Sequence, residues 1–205
     1  MTRFLQCGRE AVLAEVDDLD AALALYAALR AADLPGVTDL VPAARTVLIR
    51  LHPEMTSPAA VREAAAALEP DGGAPASAGT VEIPVVYDGP DLADVAEHLG
   101  VTPDEVVARH TRDPWTVAFA GFAPGFGYLT GGHPSFDVPR RPTPRTRIPA
   151  GSVGLAGRFS GVYPGDSPGG WQLIGSTTER MWDLDRREPA VLLPGVRVTF
   201  KAVRS

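Results

Sequence analysis

GFAPGFGYLTGGHPSFDVPRRPTPRTRIPAGSVGLAGRFSGVYPGDSPGGWQLIG, residues 121–175, decides how the second half of this chain folds. It holds 13 of the 21 glycines, 8 of the 20 prolines, five arginines and neither lysine nor glutamate. Glycine serves where the backbone needs positive φ or another group must come close. Proline fixes φ and removes a donor. A solvated linker can share that composition but rarely carries many aromatics. Here Phe122, Phe126, Tyr128, Phe136, Phe159, Tyr163 and Trp171 are spread along it. The segment therefore reads as an ordered, turn-rich surface, with short strands between Gly/Pro turns, the pattern of a β-barrel or sandwich.

Its flanks agree. Trp115–Phe122 reads as a buried strand, and Val191–Leu193 and Val196–Val203 as closing strands turned by Pro194-Gly195. Upstream, Asp91–Leu99 is a short helix, and Thr102-Pro103-Asp104-Glu105 opens another with threonine as cap and proline at the first helical position. Further towards the N-terminus the pattern changes. Ala11–Val16 is a strand after a turn at Gly8, and Asp17 or Asp18 caps a helix to about Ala32. Val37–Val41 and Thr46–Leu51 form a hairpin, Ser57-Pro58 starts a helix to about Leu68, and Thr80–Tyr87 is a strand. The order βαββαβ matches a ferredoxin-like, split βαβ unit. The expected organisation is an α+β chain, with a ferredoxin-like domain over 1–87 and a second, β-rich domain over 88–205. Residues 69–79 between the second helix and that last strand read as a surface loop.

A chain of 205 residues can bury one large or two small cores. Its net charge of -6 argues against nucleic acid, which wants a basic patch. Within 121–175, however, five arginines face Asp137 and Asp166, a local +3 that leaves -9 elsewhere. That contrast points to a small anionic ligand or an acidic partner surface. No run approaches a membrane helix, the N-terminus lacks an apolar signal core, and Cys7 is the lone cysteine, so the cytoplasm is the expected compartment.

Several chemistries fail on spacing. Lys201 is the only lysine and Phe200, not glycine, stands directly before it, so a phosphate-binding loop is absent. GFGYLTG (125–131) has its third glycine one residue late for a dinucleotide fingerprint, and no helix follows. AGSVG (150–154) nears a nucleophile elbow, but Pro149 precedes it and LAGRFSG follows where a helix is needed. Ser152 is then a turn serine able to donate to a ligand. The four histidines show no metal-ligand spacing. His110, near a helix end, is either a partner of the helix dipole or an acid/base candidate. PRRPTPR (139–145) sets Arg140, Arg141 and Arg145 on a proline-stiffened backbone, suited to a carboxylate or phosphate. YPGDSPGGW (163–171) combines a turn at Asp166-Ser167-Pro168 with Gly169-Gly170 for close approach, beside Trp171.

GF-x-PGF-x-YL-x-G, PRR-x-x-PR-x-x-IPAGSVG and GVYP-x-x-SPGGW-x-LIG, supported upstream by LPGVTDLVPAARTVLIRLHP and VEIPVVYDGPDL, resemble the 5-oxoprolinase B-subunit family over the whole chain. That family is also described as allophanate hydrolase subunit 1, as the sporulation histidine-kinase inhibitor, and as half of the urea carboxylase carboxyltransferase domain. Three positions depart from its pattern: Gly8-Arg9, Ala44 in the hairpin and Ser176 after LIG. The resemblance implies a ferredoxin-like domain followed by a cyclophilin-like β-barrel. It also implies an obligate partner with a related barrel, the 5-oxoprolinase C-subunit, and a third subunit, the complex hydrolysing 5-oxo-L-proline to L-glutamate with ATP and Mg. The nucleotide would be bound together with the partner, and no biotin is expected on this chain. Under that implication Arg140, Arg141 or Arg145 would hold the substrate carboxylate. Gly125, Ser152, Ser167, Gly169 and Gly170 would offer donors, and Tyr128, Tyr163 and Trp171 would wall the pocket. No convincing nucleophile or base is present, so the chain alone should be inactive. The other reading is a regulatory protein docking on a sensor histidine kinase through the same surface.

Overall fold

The first helix starts where its cap is. The Asp18 side chain accepts from the Ala21 N–H at 2.8 Å, so Asp18 and not Asp17 opens helix α1, Leu19–Ala32. The computed structural model describes residues 2–69 and 79–204; most of the loop expected over 69–79 lies outside them. The chain divides into two compact units, Met1–Ala76 and Ser77–Ser205.

In the first unit, strands β1 (Arg3–Gln6) and β2 (Ala11–Glu15) precede α1. Strands β3 (Val37–Pro42) and β4 (Thr46–Leu51) then form the expected hairpin, followed by α2, Pro58–Ala66. Ser57 caps α2 by accepting from the Ala60 N–H. The sheet order is β1-β2-β4-β3. Helical spacing turns Ala22, Leu25, Leu29, Val61 and Ala65 onto Val12, Ala14, Val47, Ile49 and Leu51, which makes one core.

The second unit holds β5 (Thr80–Val85), α3 (Leu92–Leu99), α4 (Pro103–Arg112) and strands β6 (Trp115–Ala120) and β7 (Gly127–Gly131). Strands β8 (Arg145–Ile148), β9 (Ser152–Ala156), β10 (Phe159–Val162), β11 (Ser167–Gly169), β12 (Gln172–Ser176) and β13 (Arg197–Ala202) complete it. Seven of these form one sheet in the order β12-β9-β10-β7-β6-β13-β5, and a bridge between Val86 and Ser176 joins its two ends. The result is a nearly closed barrel, as the Gly/Pro-punctuated strands required, consistent with a cyclophilin-like barrel. Strands β8 and β11 form a separate ribbon.

Two expectations need correction. The strand Thr80–Tyr87 does not complete the first unit; β5 pairs in parallel with β13 in the barrel, so the boundary falls near residue 76 rather than 87. The edge beside β2 is taken by β1, through a hairpin turned at Gly8 (φ 68). A short local loop closes at little entropic cost, whereas β5 carries Ile83 and Val85 into the barrel core and places Pro84 on an edge strand, where a missing N–H is tolerated. The unit thus runs ββαββα rather than βαββαβ. Second, Val191–Leu193 is not a strand; Leu192 enters the barrel core from a loop that turns at Gly195 (φ 86). Among the described residues no helix is long and apolar enough to cross a membrane.

Candidate binding cleft

Beside the barrel core lies a second buried cluster of Phe126, Ile148, Ala156, Tyr163, Trp171 and Leu173. Its rings meet edge to face: Phe126 with Trp171 at 5.3 Å and 88°, and Phe126 with Tyr163 at 5.3 Å and 70°. Glycine makes this closeness achievable. A Cβ on Gly161 would sit 3.0 Å from Phe126 and 3.1 Å from Trp171, and one on Gly169 only 2.6 Å from the Tyr163 hydroxyl. Burial, with a smaller opposing contribution from a backbone hydrogen bond to Trp171, raises the Tyr163 hydroxyl to about 12, so it stays protonated.

On this cluster opens a small cavity of about 120 Å³, lined by Phe122, Phe126, Tyr128, Arg140, Tyr163, Gly169, Gly170 and Trp171. Six of these, Tyr128, Arg140, Tyr163, Gly169, Gly170 and Trp171, were expected from sequence. Arg140 is exposed and makes no ion pair among the described residues, so a guanidinium stands available at the mouth. The loop carrying it is tied to the glycine turn by Arg141 N–H to Gly170 O at 2.7 Å, and by Gln172 Nε2 donating to Pro139 O at 3.2 Å.

Arg141 and Arg145 do something else. Both donate to Asp91, which is 1% exposed: Arg141 Nη1 at 2.7 Å, Arg145 Nη1 at 2.9 Å and Arg145 Nη2 at 2.7 Å. The Leu173 N–H also donates to Asp91, at 2.7 Å. One carboxylate thereby joins the start of α3, the arginine loop and β12. Burial alone would raise its pKa; the Arg145 hydrogen bonds, the Leu173 amide and the charges of Arg145 and Arg141 together hold it below the ordinary carboxylate value. Nothing in the sequence marked Asp91 beyond its place at a helix start, because its partners lie 50 and more residues away.

The remaining expected positions lie outside the cleft lining. Gly125 (φ 83) packs where a Cβ would strike Trp182 at 2.8 Å. The Ser152 N–H donates to Pro149 O at 3.3 Å, and Ser167 Oγ donates to Gly165 O at 3.4 Å. The other loop arginine, Arg147, pairs with Asp166 at 2.6 Å.

His110 is not placed for acid–base work. It is 0% exposed, stacked on Phe200 with ring centroids 4.3 Å apart. Both nitrogens are engaged: Nδ1 accepts from the Tyr87 hydroxyl at 2.7 Å, and Nε2 donates to Ser160 Oγ at 2.8 Å. This tautomer leaves the Ser160 hydroxyl to donate a hydrogen bond to Gly154 O at 3.4 Å. Burial pushes the imidazole down to about 3, so His110 is a neutral core residue at any ordinary pH.

Sequence reading missed Phe122 and Phe126 as lining residues, although both stand in the GFAPGF run. Phe122 has φ 67, a conformation that costs a bulky residue about 1–3 kcal/mol.

The barrel thus sets a buried aromatic cluster beside one exposed guanidinium, that of Arg140. The family model described as "Carboxyltransferase domain, subdomain C and D" matches residues 2–192. The 5-oxoprolinase B-subunit of Escherichia coli O157:H7 is 42% identical over 183 residues, covering 84% of this chain and 81% of that protein. The crystal structure of TTHA0988 superposes with a TM-score of 0.75 at 35% identity, over all of this chain but only 41% of that longer one. The Kluyveromyces lactis urea carboxylase superposes with a TM-score of 0.77 over 99% of this chain and 22% of its own; at 17% identity it speaks for the fold alone. The chain belongs to the 5-oxoprolinase B-subunit family.

Proposed function

We propose that this chain is the ligand-binding subunit of an ATP-dependent 5-oxoprolinase, acting with the C-subunit and a third subunit to convert 5-oxo-L-proline to L-glutamate. The observation that carries this reading is the cleft: one guanidinium without an ion pair among the described residues, Arg140, beside a largely buried aromatic floor bounded by two glycines. A small ring bearing a carboxylate matches both halves of that surface. The carboxylate takes the charge-assisted bonds of Arg140, and the flat lactam lies on the rings of Tyr128, Tyr163 and Trp171.

The cleft itself does not suit a nucleotide: it is small, and among the described residues Arg140 is the one cation that lines it. In this reading ATP is held by groups from partner subunits, and no step is assigned to it on this chain. The kinase-inhibitor alternative is not favoured, since the curated relatives are named as enzyme subunits.

The test is reconstitution. This chain, co-purified with its two partner subunits, should release glutamate from 5-oxoproline only when ATP is present and only when the chain is included. Release by the partners without this chain, or by this chain alone, would overturn the proposal.

A further inference from the structure

Phe122 occupies a conformation it does not favour, in a place where burial does not repay it. Among the described residues only Asp33 and Phe122 have positive φ without being glycine, and Asp33 ends α1, where such a cap is ordinary. The Ala123 N–H donates to Gly121 O at 2.8 Å, closing a three-residue turn around Phe122, the rare and strained form of the γ-turn. Hydrogen bonds from Gly121 N–H to Phe126 O at 3.2 Å and from Phe126 N–H to Ala123 O at 3.0 Å lock that turn. The ring it displays is 57% exposed. It still meets Phe126 at 5.3 Å and Tyr163 at 6.1 Å, both edge to face, which sets it at the margin of the cleft.

We infer that Phe122 is a specificity-determining wall: the turn holds its ring at the cleft so that a small cyclic amide packs between Phe122 and the aromatic floor while its carboxylate reaches Arg140. This rests on the function proposed above and adds a consequence to it. The ring-opened product carries a second carboxylate, and an aromatic wall disfavours it because the negative ring face offers it no donor. Phe122 therefore separates substrate from product.

The experiment uses the reconstituted complex carrying Phe122→Gly, with Phe122→Tyr as the conservative control. Glycine adopts positive φ freely, so the thermal midpoint of the Phe122→Gly chain should hold or rise by a few degrees. The KM for 5-oxoproline should rise about three- to tenfold, the scale of a lost aromatic contact. Inhibition by glutamate should stay unchanged or strengthen, and Phe122→Tyr should behave as wild type. A stable Phe122→Gly complex with KM within twofold of wild type, or with equal losses for substrate and glutamate, overturns the inference. Calorimetric titration of the complex with 5-oxoproline separates the two proposals. Wild-type binding without turnover sinks the activity while leaving Phe122 testable by affinity, and no wild-type binding sinks both.

Discussion

Replacing Asp91 with asparagine should destabilise the barrel unit far more than an ordinary surface change. The carboxylate accepts four hydrogen bonds, from Arg141 Nη1, both terminal nitrogens of Arg145 and the Leu173 N–H, with its side chain 2% exposed. Removing one partner of a buried ion pair costs about 3–5 kcal/mol, because the remaining charge is left uncompensated. Here Arg141 and Arg145 keep side-chain exposures of 31% and 23%, so water recovers part of the loss. About 2–4 kcal/mol is then expected. At about 4 °C per kcal/mol for a unit of this size, the midpoint should fall by about 8–16 °C at pH 7. Near-ultraviolet circular dichroism reads this, since Trp115, Trp171 and Trp182 all belong to the barrel unit. The pH dependence supplies a second check. The folded-state pKa of Asp91 is depressed, so its stabilisation is fully present above the ordinary carboxylate value and is lost as pH falls through the lowered one. The gap between wild type and Asp91→Asn should therefore narrow at strongly acid pH. A variant melting within about 2 °C of wild type at pH 7, well inside the expected fall, or a gap that ignores pH, would refute the claim that this carboxylate holds the arginine loop.

Other outcomes follow from the same geometry. Gly169→Ala puts a methyl 2.6 Å from the Tyr163 hydroxyl and 2.8 Å from Ile148, and should cost about 1–3 kcal/mol by denaturant titration. Gly170→Ala, whose nearest neighbour is 3.7 Å away, should stay within about 0.5 kcal/mol of wild type. His110 is held neutral, with its pKa lowered from 6.5 to about 3, so the unfolded chain binds more protons in that window and stability falls with falling pH. His110→Gln should remove a slope of up to about 1.4 kcal/mol per pH unit between those values, measured by urea titration across pH.

How much of this the sequence disclosed depends on the range of the interactions. Caps are local, so Ser57 and Thr102 were legible as helix starts and both accept the expected backbone N–H. The aromatic and glycine positions of the cleft were legible too, because Tyr163 and Gly169–Trp171 lie within one short stretch. What the sequence could not separate was Arg140 from Arg141 and Arg145. All three share one charge and one loop, and only the folded position of Asp91 divides them. The fate of β5 was hidden for the same reason: an apolar run with Val81, Ile83 and Val85 suits either unit, and the choice rests on β13, more than a hundred residues later. His110 looked titratable because histidine usually is; its neutrality comes from Tyr87, Ser160 and Phe200, none of them near it in sequence.

If this chain supplies the carboxylate-binding half of a shared site, Arg140 is the residue that does so. The decisive measurement is the KM for 5-oxoproline of the reconstituted complex carrying Arg140→Ala, alongside the thermal midpoint of the variant. Because Arg140 is exposed and makes no ion pair among the described residues, the midpoint should stay unchanged. The KM should rise about 10- to 100-fold, the worth of a hydrogen bond to a charged group. An Arg140→Ala complex with wild-type KM would contradict this assignment.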